Sequence, residues 1–432
     1  MPLDLFATDA KLTPYWWDRT PRPVPATIDP PRTVDVVVIG SGYTGLSAAL
    51  VTARGGRKTL VLDAEDAGWG CSTRNGGQIS TSIKPTYREL VRRHGAETAF
   101  RIVKDGHNSL AWIGEFVARE QIDCDFQVVG RFHAAHGPRH YAELAERLRT
   151  QPKGLEIAAH IVPRSEQYGE LGTEAYHGGI VYERHASVDP ARLHQGMLDR
   201  VLAAGADVVA NCRATRIRPN GRGFHIETVR GAVATRNVVV ATNGYTGELT
   251  PWLRRRVIPI GSYIIATEPL PPETMARLMP KNRVISDTRK VVYYYRASPD
   301  RTRILFGGRV SASERDPRVT GPRLHAEMVR IFPQLAATRI SHSWAGFVAY
   351  TFDELMHVGE HEGVHYAMGY CGSGVGMSGY LGMRVGQQVL GLPTGETGLN
   401  ATSFQKRPFY SGDPWFLAPT VTYYRWRDKV GA

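Results

Sequence analysis

The sequence predicts an α/β protein: a Rossmann-like domain assembled from discontinuous segments, joined to a second α+β domain built on an antiparallel sheet. Three observations carry this reading. The stretch DVVVIGSGYTGLSAAL, Asp35 to Leu50, runs from β-branched residues through a Gly-x-Gly-x-x-Gly turn into small and apolar residues at helical spacing, which is a doubly buried strand feeding a helix. KTLVLDA, ending at Asp63 and Ala64, is a second buried strand and completes a βαβ unit. Similar texture returns near 180–250 and 340–392, with stretches of different character between.

Taken in order, residues 1–33 are rich in Pro and aromatics, show no period, and read as an extended arm on which Trp16 and Trp17 pack against the body. Residues 86–120 read as helix, with Phe100, Val103, Leu110, Ile113 and Phe116 spaced by three residues or by two helical turns in the later part. DFQVVGRFHAA reads as strand and RHYAELAERLRTQ as helix. DPARLHQGMLDRVLAAGADVVA opens with an Asp-Pro cap and gives helix then strand. FHIETVRGAVATRNVVVATNGY is a hairpin ending in a buried strand and a Gly turn. From 258 to 310 strands dominate in IPIGSYIIATEPL, VVYYYRAS and RILFGGR, hence the antiparallel sheet. GVHYAMGYCGSGVGMSGYLGMRVGQQVL is strand, Gly-rich turn and helix. The map is therefore an arm at 1–33, a nucleotide-binding domain from 34–84, 180–250 and 340–392, a substrate domain from 85–179 and 251–339, and a tail at 393–432.

A chain of 432 residues suits two connected domains. No apolar run long enough to span a bilayer and no signal-peptide pattern is visible, so the expected location is cytoplasmic, without an integral membrane segment. The cysteines Cys71, Cys124, Cys212 and Cys371 are scattered, without CxxC or His spacing, so no metal is expected. The formal charge of +12 comes from Arg residues spread along the chain. It reads as a solvated surface rather than a nucleic-acid site, and LRRRV at 253–257 as a solvated turn.

The chemistry starts at Gly40, Gly42 and Gly45. They allow a tight turn, close backbone approach to a pyrophosphate, and close helix packing, while the amides at Tyr43 and Thr44 open the helix on which phosphates rest. Asp63 closes the second strand where an acid accepts hydrogen bonds from a ribose diol and repels a 2′-phosphate. A plain NAD domain would turn straight into another helix. Here the Gly-rich loop AGWGCSTRNGGQIS follows, long enough to wrap an extended cofactor with a flat ring system, which favours FAD.

At these residues the chain resembles the flavin-dependent D-amino acid oxidase superfamily, which includes glycine and sarcosine oxidases, and within it most resembles the γ-glutamylputrescine oxidase group. The matching segments are VVVIGSGYTGLSAAL, GWGCSTRNGGQIS, VVVATNGYT, IGSYIIATEPL, SDTRKVVYYYR, RILFGGR, WAGFVAYTFDELMHVG and GYCGSGVGMSGYLG, in the family's order. The resemblance implies that FAD contacts the Gly40–Gly45 turn, Asp63, Ala64, Gly70, Cys71, Ser72, Thr73, Arg74, Asn75, Gly76, Gly77, Gln78, Ala214, Ala241, Thr242, Asn243, Gly244, Gly346, Gly372, Ser373, Gly374 and Val375. The chain departs from the pattern at Cys71 and Thr73, where the group more often has Ala and Gly, and at Ser373, where many relatives have His. Neither Cys nor His stands in SWAGFVAYTFD, and the loop 67–80 lacks His, so FAD is expected to be noncovalent and Cys71 and Cys371 to be packing residues. The Lys that sarcosine oxidases carry on the strand resembling RILFGGR is missing, which leaves the group that activates oxygen unassigned.

GYCGSGVGMSGYLG, a Gly-rich turn feeding a helix N-terminus, suits the negative charge that a reduced flavin carries at its pyrimidine edge. VVYYYR alternates Tyr293 and Tyr295 with Tyr294 and Arg296, so one face offers an aromatic and cationic roof. The catalytic candidates are Tyr294, Arg296, Tyr263, Trp344 and Tyr350, with Arg309 readable as either site residue or surface ion-pair partner. The expected reaction is hydride transfer from the C–H beside an amine nitrogen to flavin N5, giving an imine that hydrolyses, with oxygen or another acceptor taking the electrons. The best-matching substrate is a γ-glutamylputrescine-like amine. The alternatives are a sarcosine, glycine or D-amino acid oxidase or dehydrogenase, an NAD-dependent dehydrogenase, and an RNA-binding flavoprotein supported only by the Arg excess. Oligomeric state is not written in these patterns.

Overall fold

In the computed structural model, which describes residues 5–22, 28–81, 83–308 and 316–430 (side chains of the last two excepted), two sheets divide the chain. The first has eight strands. Thr33–Ile39, with Val36, Val37 and Val38 wholly buried, lies between Thr59–Leu62 and Gly231–Val240, all three parallel. Asp207–Val209 extends one side, and Val364–Met368 runs parallel to the carboxyl half of 231–240. The strands Ala214–Asn220, Gly223–Thr228 and His357–His361 complete it. Helices Tyr43–Arg54, Pro190–Ala203 and Gly374–Val389 pack against one another and this sheet, with Ala96–Arg119 behind. The Asp-Pro cap is realised: the Asp189 carboxylate accepts from the amides of Ala191 and Arg192. Every parallel strand ends near the same rim, where ligands of open α/β sheets bind.

The second sheet has nine strands, in the order Phe6–Lys11, Ile340–Tyr350, Ile258–Thr267, Ile304–Gly308, Tyr294–Ala297, Val284–Asp287, Arg131–Ala134, Gly179–Tyr182 and Ala159–Val162. It is antiparallel except at two pairings, Phe6–Lys11 with Ile340–Tyr350 and Val284–Asp287 with Arg131–Ala134. Helix Pro317–Ile331 covers one face through Leu324, Met328 and Ile331. The other face turns toward the rim of the parallel sheet.

Several expectations change. The N-terminal segment is more than an arm lying on the surface: Phe6–Lys11 is an edge strand, and Tyr15–Arg19 is a helical turn with Trp16 fully buried. Ile340–Tyr350 pairs along its length with Ile258–Thr267, so it belongs to the nine-stranded sheet, as does Gly179–Tyr182. The segment boundaries expected at 180 and 340 therefore fall inside that sheet. Both faces of 340–350 are covered, and a doubly covered antiparallel strand carries the same unbroken apolar signature as a parallel one. The helix read over 86–120 is two, Tyr87–His94 and Ala96–Arg119, broken where Gly95 takes φ +81°. LRRRV is not a plain solvated turn, since Arg256 lies 3.6 Å over the Trp252 ring. In the tail, helix Leu417–Val430 returns to the body, and Asp428 accepts from the amides of Lys290 and Val291 at 2.9 and 3.0 Å. Among the described residues no helix is long and apolar enough to cross a membrane.

Candidate active site

The Gly turn is shaped by close approach. Gly40 sits at φ +104°, and a Cβ on Gly45 would lie 1.8 Å from the Gly40 carbonyl oxygen, so only glycine lets the helix start this near the strand. The first-turn amides of the helix that opens at Tyr43 lack intrahelical acceptors. One of them, Tyr43 N–H, donates to Ser72 Oγ at 3.0 Å. Asp63 Oδ2 accepts from Ser41 N and Oγ at 2.8 and 2.5 Å, and Oδ1 accepts from Glu65 N at 3.0 Å. Burial pushes this carboxyl up while the Ser41 bonds pull it down. Oδ1 keeps a second lone pair for a diol, while both lone pairs of Oδ2 are taken by Ser41. Ala64 follows it directly. Beneath the turn His194 Nε2 donates to Ser41 O at 2.7 Å, and burial lowers its pKa to about 4, so it is neutral at physiological pH.

The loop after Asp63 is held by its own polar groups. Asn75 Nδ2 donates to the carbonyls of Cys71 and Ser72, and its Oδ1 accepts from Gly77 N at 2.8 Å. Thr73 Oγ1 donates to Gly68 O at 2.7 Å. Arg74 donates to Trp69 O and Ala345 O and lies over the Trp69 and Trp17 rings at 4.3 and 5.0 Å. Gln78 Nε2 reaches the carbonyls of Ile285 and Tyr295 on the second sheet. The N-terminal segment closes over this loop: Trp16 Nε1 donates to Asn75 O at 2.8 Å, Trp17 Nε1 to Thr73 Oγ1 at 2.9 Å, and Arg22 to Ala67 O at 3.0 Å.

The remaining pieces meet at the same rim. Ala241 N donates to Ile39 O, Thr242 Oγ1 bonds Thr246, and Asn243 Oδ1 accepts from Gly369 N at 2.9 Å. Gly244 backs onto Phe347, Gly70 onto the Tyr245 ring, and Gly346 onto Arg74 and Cys71. The turn at Gly372 and Ser373 opens the helix that begins at Gly374 and Val375. Ala214 is buried at the start of its strand, two residues beyond Cys212, whose amide donates to Asp63 O. Cys71 Sγ contacts Phe347 O and lies 3.8 Å from Tyr245 Oη. Cys371 is fully buried with its thiol pushed up to about 11, so it stays protonated at neutral pH.

The face of the nine-stranded sheet toward this rim carries a cross-strand row: Trp344, Ile264, Gly307, Tyr294, Ser286 and His133. Trp344 Nε1 donates to Arg74 O at 2.9 Å. The Tyr294 ring lies against Gly76, where a Cβ would come within 3.1 Å, and its hydroxyl bonds Ser262 Oγ at 2.9 Å. Two expected site residues do other work. Tyr263 points to the opposite face, into the core with Ile265 and Phe306, because side chains alternate along the strand. Arg296 is buried and donates to the carbonyls of Gly77, Val188 and Ala297, so it braces the loop from above instead of offering a free guanidinium. Tyr350 lies toward the exposed Lys84, whose Nζ is 5.8 Å from its ring centre. Arg309 lies outside the described residues.

The assembled groups fit FAD: a Gly turn with orphan helix amides, an acid at the next strand end, a wrapped loop, and a second helix N-terminus facing the same rim. Sequence reading missed Ser41 and His194, which give no periodic or spacing signal, and Arg131 and His133 on the strand 131–134. It saw Trp16 and Trp17 but not their hydrogen bonds to the loop.

A family model described as FAD dependent oxidoreductase (DAO) matches residues 35–388. "Probable oxidoreductase OrdL" of Rhizobium meliloti (strain 1021) is 32% identical over 425 residues, covering 96% of this chain and 97% of the relative. Gamma-glutamylputrescine oxidoreductase of Escherichia coli (strain K12) is 29% identical over 410 residues, covering 94% and 95%. Among solved structures, glycine oxidase from Geobacillus kaustophilus superposes with TM-score 0.70 at 18% identity, over 88% of this chain and 99% of that one. L-proline dehydrogenase from P. horikoshii gives 0.71 at 18%, over 89% and 98%. The last two establish the fold.

Proposed function

The chain belongs to the DAO family of FAD-dependent oxidoreductases acting on amines and amino acids, and on that premise we propose that it oxidises a primary amine of the γ-glutamylputrescine type. The C–N bond becomes an imine, water releases aldehyde and ammonia, and oxygen is reduced to hydrogen peroxide. The observation that carries this is one sheet face lying directly on the loop: Trp344 bonded to Arg74 O and Tyr294 packed on Gly76.

FAD would be held noncovalently by the Gly40–Gly45 turn, Asp63, the 70–78 loop, 241–244, Gly346 and 372–375, with Ala64 and Ala214 flanking the acid. When bound, it supplies the two-electron acceptor for the hydride on the carbon beside nitrogen. The chain's own residues position and exclude water. Trp344, Ile264 and Leu305 form an apolar wall with Trp16 and Ala191, which keeps solvent off the reacting carbon. Tyr294 Oη, fixed by Ser262, is placed to hold the amine as a neutral acceptor of its N–H. The amides opening helix Gly374–Val389 would offer partial positive charge to a bound flavin.

The test is a panel of γ-glutamylputrescine, sarcosine, glycine and D-alanine with the purified yellow protein. Anaerobic bleaching of the flavin band and aerobic peroxide release are expected with the first substrate. Bleaching by sarcosine or D-alanine alone overturns the primary-amine assignment, and bleaching without peroxide overturns oxygen as acceptor.

A further inference from the structure

Next to Tyr294 on the same sheet face is a group of basic side chains that the proposed chemistry leaves unused. Arg131 Nε and Nη2 both donate to Ser286 Oγ, Nε at 2.7 Å, and the hydroxyl in turn donates to His133 Nδ1 at 2.8 Å. Ser286 is the cross-strand neighbour of Tyr294, one strand spacing of about 5 Å away. Behind it His185, 1% exposed, stacks on Tyr182 with ring centres 4.9 Å apart.

The tautomer of His185 follows from its partners. Thr81 N–H donates to Nε2 at 3.4 Å, which makes Nε2 the acceptor, so the neutral ring carries its proton on Nδ1. Burial and the charge of Arg131 keep the ring neutral. Nδ1 is buried and has no hydrogen-bond partner, nor does Nε2 of His107 on the neighbouring helix. A buried N–H donor left unmet is destabilising, so its persistence beside a guanidinium calls for an acceptor. The charged groups that bear most on His133 are Arg131, Arg147 and Lys84, and on His185 they are Arg131 and His107. All are basic. Lys84 stands exposed by the Tyr350 ring, on the stretch that follows the wrapped loop.

We propose that Arg131, oriented by Ser286 and His133, and the His185 Nδ1–H form the seat of a carboxylate carried at the end of the substrate remote from the C–N bond being oxidised. The proposal rests on the amine-oxidase reading above and adds to it the substrate's second functional group and the residues that read it. The guanidinium, its Nε and Nη2 turned to Ser286, gives the positive charge, and His185 gives a donor that burial keeps uncharged. Lys84 attracts the anion at the approach. The amine is thereby set at Tyr294 by anchoring its far end, and specificity is decided several ångströms from the chemistry.

The test compares γ-glutamylputrescine, its α-carboxamide and N-acetylputrescine on FAD-loaded enzyme, and titrates glutarate against the flavin absorbance of wild type and Arg131→Met. The wild type is expected to show a KM at least about tenfold lower for the carboxylate substrate, with kcat little changed. Arg131→Met is expected to remove that preference, keep its flavin band, and lose the saturable response to glutarate. Equal KM values for carboxylate and carboxamide in the wild type overturn the proposal whether or not the variant folds. So does a glutarate response matched by chloride or phosphate, which marks a general anion site. His185→Asn is a second variant, expected to weaken glutarate several-fold, and unchanged glutarate affinity in both variants also overturns it. If no amine bleaches the flavin, the amine-oxidase reading fails alone, because the glutarate titration still reports the seat.

Discussion

The two walls of the site are built by opposite means. The parallel-sheet wall is made of backbone: glycines, helix-opening amides and one acid, drawn from turns that follow strands. The antiparallel wall is made of side chains, with Trp344, Tyr294, Ser286 and His133 contributed by four strands and aligned only by register. At Gly40 and Gly45 the backbone wall tolerates no added atom, whereas a side-chain wall can be exchanged one residue at a time with the fold intact. That division lets one fold keep its cofactor while changing its substrate.

Three experiments strain this comparison. The largest effect is expected from Gly45→Val, because the first carbon of any side chain there would lie 1.8 Å from the Gly40 carbonyl oxygen. A loss of more than about 4 kcal/mol and no yellow protein on purification are expected. A stable, yellow variant would show that the backbone wall can yield.

The second concerns the one imidazole under the Gly turn. The His194 pKa is lowered from 6.5 to about 4 in the folded protein, so the unfolded chain takes up a proton that the folded one refuses. Stability from this group is complete above pH 6.5 and falls as pH drops toward 4, by up to about 3 kcal/mol. Thermal melting and free-flavin fluorescence across that window should move together, and His194→Gln should flatten the slope. A slope that persists in the variant would assign the effect elsewhere.

The smallest effect separates the faces of the second wall. Tyr294→Phe should lower kcat/KM about tenfold with little change in melting temperature, while Tyr263→Phe should cost about 1 kcal/mol of stability and leave kcat/KM within about twofold. The reverse pattern would mean that the sheet is read from the wrong side.

The same contrast explains what the sequence discloses. The Gly turn, Asp63, the wrapped loop and the Gly-rich turn at 372 are contiguous motifs whose spacing is dictated by a cofactor, so they are legible without coordinates. Tyr294 was visible as a candidate, but so was Tyr263, because alternation along a strand says which residues share a face and not which face meets the site. Arg296 shows the limit more sharply. A cation on the correct face was expected to meet the substrate, yet three backbone carbonyls claim it, while Arg131, three strands from Ile304–Gly308, gave no local signal. The domain boundaries shifted for a related reason: 340–350 is apolar on both sides, and hydrophobic pattern alone does not distinguish the sheets it could join.

The edge strand Phe6–Lys11 has a consequence for how the protein is made. It leaves the ribosome long before its partner, Ile340–Tyr350, is synthesised, so it must wait unpaired while the intervening chain folds. Trp16 and Trp17 then reach the loop only when that strand has docked. The nascent chain therefore encloses that loop late, with an early-made segment as the closing piece, and substitutions that slow docking of Phe6–Lys11 should delay that step more than they disturb the finished enzyme.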